Sequence, residues 1–430
     1  MKNRPRTAEP DRRHRKLPLG KLATPMATSP SRVARDGNIV SPLRVSRDCN
    51  RHVTHAWRDA KQAGNIGLLA CIFVLPCFSK QTVYANGTSM KLAHPSSSDL
   101  AQTLDLVNAV DQLSEEEAGL QALEHRLGHL YVAQRLGLER DFEAHKFRNG
   151  GLFVTLDHCH GLIRAGLWLT GLLGRGRRNA LSIDVRSHDV LIANLPTAFD
   201  GFTILQLSDL HVDMTAEFVG LLIDTIGPLQ YDLCVLTGDY RARTFGPYEA
   251  ALAGMKQLRP HINNAAYAVL GNHDTLRMVP AMESMGYSFL INEHVKLQRG
   301  GEEVYLAGID DAHFYHLENY HRAAHGIPRR AVSILLSHTP EAYRHGAHAG
   351  FDLMLCGHTH GGQICLPGGT PLLTEADSPR EFARGAWRYH DMIGYTSVGA
   401  GTCLVDVRLN CRPEVTLHRF RRLEPKASSL

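Results

Sequence analysis

The sequence predicts an α/β fold on three observations. Apolar runs of strand length recur at 202–208, 231–237, 265–270, 331–337 and 351–355. Helix-patterned stretches at 216–226 and 249–259 separate the first three runs, as βαβ crossovers require. Each run is close to continuously apolar, the pattern of strands in a parallel sheet covered on both faces. In such a sheet the carboxyl ends of the strands gather along one edge, where ligands bind.

A chain of 430 residues can hold two or three average domains, or one large α/β domain with an appendage. A hydrophobic content of 43% and a charged content of 21% exclude wholesale disorder and a polytopic membrane protein. The net charge of +4 is unevenly placed, with Lys and Arg far outnumbering Asp and Glu in the first sixty positions. Nine cysteines without a CxxC argue against a disulfide framework and for a reducing, cytoplasmic compartment. Cys234 and Cys356 lie in apolar runs and read as small buried hydrophobes.

Residues 1–96 read as a basic extension, either disordered or outside the functional protein, because 1–62 carries no sustained period of 2 or 3.6. A basic arm without interleaved aromatics gives no reason to expect a nucleic-acid partner. The apolar run 66–78 is short of the roughly 20 residues that span a bilayer, and the internal Met90 is an alternative start of translation. From 97 to 145 the apolar positions Leu100, Leu104, Val107, Leu120, Leu123, Leu127 and Leu130 follow helical spacing. With Ser114 three residues before Glu117 as a capping box, this stretch predicts a helical hairpin. Residues 151–174 form a second helical pattern whose apolar face includes Leu152, Phe153, Leu156, Leu167 and Trp168, followed by Arg175, Arg177 and Arg178. Such a helix either docks on a protein core or lies in the headgroup region of a membrane. The helical extension therefore covers 97–179. Ala180–Asp184 and His188–Ala193 then alternate like two edge strands and open a main domain over 180–424.

The chemistry gathers at the ends of the apolar runs. Run 202–208 leads into Asp209 and His211, which face the same way on an extended chain and can offer an oxygen and a nitrogen to one ion. Run 231–237 leads into Asp239, a carboxylate able to bridge two ions beside Asp209. After 265–270 come Asn272, with a neutral carbonyl oxygen for a metal, His273, which can meet a substrate, and Asp274, able to fix the tautomer of His273 or hold its proton. His338 follows 331–337. The pair His358 and His360, bracketed by glycines, follows 351–355. Among 25 histidines one H-x-H pair means little, but five successive runs ending in metal-capable residues form a joint signal.

In these motifs, Asp209-Leu-His211, Gly238-Asp239, Gly271-Asn-His-Asp274, His338 and Gly357-His-Thr-His360, the chain resembles the calcineurin-like metallophosphoesterases over about 180–420. The resemblance implies a four-layer α/β/β/α metallophosphoesterase sandwich, here with an N-terminal helical extension. It implies two divalent metal ions, Asp209, His211 and His360 on one, Asn272, His338 and His358 on the other, and Asp239 bridging. His273 would contact the phosphate or protonate the leaving oxygen. The Gly-Gly-Gln after His360 and the segment 405–414 are similar to a bacterial membrane-associated phosphodiesterase subgroup. Some of its members cleave the pyrophosphate of a UDP-diacylglucosamine.

The expectation is thus a phosphohydrolase that cleaves a phosphodiester or pyrophosphate bond with metal-activated water, peripheral at the inner face of the membrane. A broad phosphomonoesterase or nucleotidase is the alternative within enzymes, and a metal-bearing scaffold without turnover the alternative outside them. Mixed oxygen and nitrogen donors suit Mn, Fe, Zn or Co, with Mn favoured. Two loops are candidates for specificity. Residues 308–325, rich in histidine and aromatics, either line the approach of substrate or are solvated, and 366–387 is a candidate cover over the site.

Overall fold

The computed structural model describes residues 115–148 and 152–423, with side chains over 115–144 and 160–423, and a short antiparallel pairing of Tyr84–Ala85 with Thr88–Ser89. The basic segment 1–62, the run 66–78, Met90, the helical positions 97–113, Ser114 and the apolar side chains Leu152, Phe153 and Leu156 lie outside what is described.

Helices α1 (115–127) and α2 (His129–Arg148) are parted at Gly128, whose φ of 97° closes the first helix. They are followed by α3 (Leu152–Leu169) and α4 (Leu173–Ala180). The first sheet then begins with β1 (Asp184–Ile192) and β2 (Thr203–Leu207). Helices α5 (Phe218–Ile226), α6 (Glu249–Leu258) and α7 (Met278–Ser284) carry the chain on to β3 (Leu233–Leu236), β4 (Ala266–Ala268) and β5 (Tyr287–Phe289). The second sheet takes β6 (Glu293–Arg299), β7 (Glu302–Gly308), β8 (Ser333–Leu336), β9 (Leu353–Cys356), β10 (Gly385–Tyr389) and β11 (Met392–Thr396), with α8 (Tyr320–Ala324) and α9 (Tyr343–Ala349) between them. The last strand, β12 (Glu414–Arg422), returns to the first sheet.

The orders are β1-β12-β2-β3-β4-β5 and β10-β11-β9-β8-β7-β6. Strands β2 to β5 are parallel, as are β7, β8, β9 and β11. Three cores define the layers. Ile204, Leu233 and Val235 of the first sheet meet Leu306, Ile334 and Leu355 of the second. The outer face of the first sheet, Leu205, Cys234 and Leu236, is covered by α5, α6 and α7 together with Leu123, Leu127 and Val132 of the N-terminal helices. The outer face of the second, Ala307, Leu335 and Met354, is covered by Ala323 of α8 and Tyr343 of α9. This is the α/β/β/α sandwich, with alternate residues of each buried strand serving opposite cores.

The structure differs from the sequence reading over 180–193 and defines the strands of two stretches that the reading left open. The two edge strands expected over 180–193 are one strand, β1, preceded by α4, whose Gly176 packs closely against Val407. Residues 385–396 form the antiparallel pair β10 and β11, turned at His390 with φ 51°. The segment 414–422 is a central strand, parallel to β1 and antiparallel to β2.

Candidate metal centre

Short loops beyond β2, β3 and β4 bring Asp209, His211, Asp239 and Asn272 to the edge of the first sheet, and loops beyond β8 and β9 bring His338, His358 and His360 to the edge of the second. Five of these seven side chains hang from backbone in the left-handed region: Asp209 (φ 50°), His211 (φ 42°), Asp239 (φ 59°), His358 (φ 71°) and His360 (φ 48°). Non-glycine residues rarely adopt it, and such strain collects at functional sites. Gly357 permits the approach of the two sheets, because a Cβ there would overlap Ser208 Oγ and Asp209 Oδ2.

The donor atoms converge in two groups. Asp209, His211, Asp239 and His360 form one, and Asp239, His338 and His358 the other, each with its donor atoms within 4.8 Å of one another. His211 Nε2 is 3.1 Å from His360 Nε2 and 3.7 Å from Asp239 Oδ2, and His360 Nε2 is 3.6 Å from Asp209 Oδ1. His338 Nε2 is 3.1 Å from His358 Nδ1, 2.9 Å from Asn272 Oδ1 and 3.4 Å from Asp239 Oδ2. Donors on one ion at bonds of about 2.0–2.2 Å are separated by roughly 3.0–3.6 Å, so both groups fit a divalent cation. The remaining ring nitrogens support this orientation. His211 Nδ1 donates to Arg241 O and His338 Nδ1 to Thr237 O, each at 2.8 Å, which turns both Nε2 atoms toward the centre.

The electrostatics also suit a cation. Burial, joined by the nearby Asp239, pushes Asp209 up to about 7 against the opposing pull of His338, Ser208 and Arg408. Burial alone would raise Asp239 too, but His338 and His273 hold it well below the carboxylate range. In turn burial would lower His338, yet Asp239 raises it to about 10, so the two form one buried ion pair in the metal-free chain. Burial holds His211 down at about 4, and holds His358 and His360 well below the usual imidazole range. Neutral imidazoles facing buried carboxylates are what a metal requires.

His273 is brought beside both groups. Its Nδ1 is 3.3 Å from Thr244 Oγ1, and its Nε2 3.8 Å from Cys403 Sγ. The ring nitrogens of His273 meet Thr244 and Cys403, while Asp274, read from the sequence as able to fix the tautomer of His273 or hold its proton, is engaged elsewhere. The Asp274 carboxylate instead accepts the backbone amides of Gly271, Asp239 and Tyr240 at 2.9, 2.8 and 2.9 Å, tying two strand-end loops together.

Three supporting residues, Arg408, Arg135 and Glu139, gave no signal of their own in the sequence. Arg408 is fully buried and donates to the carbonyls of His360, Gly399 and Gly401, with one nitrogen 3.1 Å from His360 Nδ1. A guanidinium only donates, so a cation on His360 Nε2 must weaken that last contact and leave Arg408 on the three carbonyls. Behind the His273 loop, Arg135 of α2 is also fully buried, ion-paired with Asp310 at 3.2 Å and Glu139 at 3.3 Å, and it donates to Asp274 O at 3.2 Å. Glu139 in turn accepts from Thr275 Oγ1 and from Leu276 N. Of the histidine-rich stretch 308–325, His313 reaches the centre, its ring 4.2 Å from that of His358 and its Nδ1 2.9 Å from Glu341. The stretch 366–387 is anchored by the stacking of Phe382 on Trp387, while Leu366, Leu372 and Leu373 are exposed.

The helical extension meets the centre from another side. Ile163, Leu167 and Leu173 pack on Val405, Val407 and Leu409, so α3 docks on the protein core. Arg164 and Arg177 both pair with Asp406, at 3.2 and 2.7 Å. A cavity of about 340 Å³ opens between α4 and the loop after His211, lined by Ala180, Leu181, Met214, Phe218 and Thr402. Leu162, Trp168 and Leu169 point outward, and no helix of the described residues is long and apolar enough to cross a membrane.

The same region is the one that known proteins share. The family model for the calcineurin-like phosphoesterases matches residues 202–362. The metallophosphoesterase YkoQ of Bacillus subtilis is 31% identical over 262 residues, covering 56% of this chain and 89% of its own. The phosphodiesterase YaeI of Escherichia coli is 29% identical over 233 residues, 50% of this chain and 81% of its own. A Danio rerio transmembrane protein with a metallophosphoesterase domain is 28% identical over 248 residues, 53% of this chain and 55% of its own. Relatedness along nearly the whole of a Bacillus protein, together with a buried cluster of Asp and His at the strand ends, makes this chain a member of the calcineurin-like phosphoesterases, hydrolases with a dinuclear divalent-metal centre.

Proposed function

We propose that the chain hydrolyses a phosphodiester or pyrophosphate bond. Asp209, His211 and His360 would hold one divalent cation, Asn272, His338 and His358 a second, and Asp239 would lie between them. The observation that carries this reading is the Asp239 carboxylate, which belongs to both donor groups. Mn, Fe, Zn or Co suit the mixed oxygen and nitrogen donors, with Mn favoured. Two bound cations supply Lewis-acid charge to the phosphoryl oxygens and acidify an attacking water.

The rest is done by the chain's own side chains. His273 points into the same space, directed by Thr244 Oγ1 on its far nitrogen, and is the group that contacts a phosphoryl oxygen or hands a proton to the leaving oxygen. Asp274 positions that histidine through the backbone, by fastening Gly271 to Asp239 and Tyr240. A diester reading is favoured over a monoester by the E. coli relative, itself named a phosphodiesterase. In a substrate panel with Mn restored to metal-free protein, bis(p-nitrophenyl) phosphate should be turned over faster than the monoester. His273→Ala should keep its metal and lose about 10²–10⁴-fold in turnover. Unchanged turnover in that variant would remove the role of His273, and no turnover of any ester by the metal-loaded chain would favour a scaffold.

The setting of the reaction is read from α3. Leu162, Trp168 and Leu169 are 72%, 69% and 76% exposed, next to the exposed Arg175 and Arg178. An apolar ridge with a basic rim fits the headgroup region of a bilayer, and the Danio rerio relative is named a transmembrane protein. A peripheral position at the inner face of a membrane, acting on a lipid-linked pyrophosphate of the UDP-diacylglucosamine type, follows as the finer form of the proposal. The full chain should float with anionic liposomes and the pair Trp168→Glu and Leu169→Glu should not. Equal flotation of the two would remove the membrane contact and leave the hydrolase.

A further inference from the structure

One thiol stands inside the centre. Cys403 Sγ is 3.8 Å from His273 Nε2 and lies within 4.8 Å of ring nitrogens of His211 and His360, the two imidazoles of the first donor group. Its backbone is fixed on both sides. Cys403 N donates to Gln363 Oε1 at 2.8 Å, and Gln363 Nε2 donates back to Cys403 O at 2.8 Å. The next residue, Leu404, is held at φ 64°. Cys403 is also part-exposed, whereas the other free cysteines described, Cys234, Cys356, Cys365 and Cys411, are buried. Of these, Cys411 directs its thiol to the main-chain oxygen of His360, and Cys365 to that of Gly361.

We propose that Cys403 is a conditional metal ligand. It gives a sulfur donor to the cation held by His211 and His360 when that cation is thiophilic, such as Zn, Co or Cd. It stays a neutral thiol beside the cation when the metal is hard, such as Mn. The inference rests on the metal reading of the site given above. In the binding step the S–H bond breaks, its proton passes to solvent, and the sulfur lone pair forms the bond to the metal, with no change of oxidation state. A sulfur at about 2.3 Å and a nitrogen at about 2.1 Å on one ion are separated by roughly 3.6 Å. With those nitrogens within 4.8 Å, the thiol has at most about 1.2 Å to close to coordinate. Soft donors select soft cations, which is why the metal decides whether the bond forms. The sulfur would then fill the position that water or a phosphoryl oxygen needs. Thiophilic metals would bind more tightly and support less turnover, so the identity of the bound metal sets the activity.

The test titrates the metal-free full chain with Co²⁺ and follows the near-ultraviolet absorption. Wild type should develop a sulfur-to-cobalt charge-transfer band, and Cys411→Ser should keep it. Both Cys403→Ser and Cys403→Ala should lack the band, and their Zn affinity should fall about tenfold or more while Mn affinity stays within about twofold. A band that persists in the Cys403 variants, or a Zn-to-Mn affinity ratio unmoved by them, overturns the role of the thiol while leaving the metal centre standing. Failure of wild type to bind any cation overturns the metal reading and this inference together.

Discussion

Asp209, His211, Asp239, His358 and His360 were each legible in the sequence as metal-capable residues, because each lies just past an apolar run. Their left-handed backbone was not legible, since Asp and His adopt it only where the surroundings impose it. Each such residue costs on the order of 1–3 kcal/mol, and burying carboxylates beside one another adds to the cost. The metal-free centre therefore carries a cost that bound cations would offset. Asp209→Asn keeps a hydrogen-bonding oxygen for His358 N while removing a carboxylate that burial pushes up to about 7. That variant should leave the Tm of metal-free protein unchanged or raised, and should lose most of the rise in Tm that metal gives wild type. A large fall in the metal-free Tm would show that the carboxylate stabilises the fold itself. Cys403 and Arg408 escaped the sequence reading for a different reason. Both act on residues far away along the chain, Cys403 on His273 and Arg408 on His360, and neither follows an apolar run.

The helices of the extension were legible as elements, through apolar positions such as Leu123 and Leu127, but their purpose was not. Arg135 and Glu139 stand at i,i+4 spacing, a pattern that charges on a solvent-facing helix also show. In the structure they are inserted behind the His273 loop, with the Arg135 guanidinium 3.5 Å from the centroid of Tyr315 and Tyr131 donating to Asp310. Arg135→Met should destabilise the chain by about 3–5 kcal/mol in denaturant, because Asp310 and Glu139 would keep buried charge without their partner. Adding Asp310→Asn to that variant should restore part of the loss. A single variant as stable as wild type would mean that α2 is a surface appendage. Strand β12 was hidden by its composition. Thr416 and His418 lie on a central strand, where an apolar run is the usual pattern, and their burial is satisfied by a polar chain, with Gln206 bonded to His418 at 2.9 Å and to Cys356 O at 2.9 Å.

At the scale of the whole molecule, the centre belongs to neither sheet alone. Asp209, Asp239 and Asn272 come from the first sheet, and His338, His358 and His360 from the second, with Asp239 and His338 paired across the junction. The order of motifs along the chain was visible in the sequence; their division between two sheets was not, because nothing in one apolar run states which sheet it joins. A cation bound there clamps the sandwich together, which at 100 times its dissociation constant adds about 2.7 kcal/mol to the folded state. The most direct test of this account is the number of divalent ions that metal-free protein takes up, counted by titration and elemental analysis. Two equivalents per chain are expected, falling to one or none in Asp239→Ala. A wild-type chain that takes up one ion or none, or an Asp239→Ala chain that still binds two at the same affinity, would contradict it.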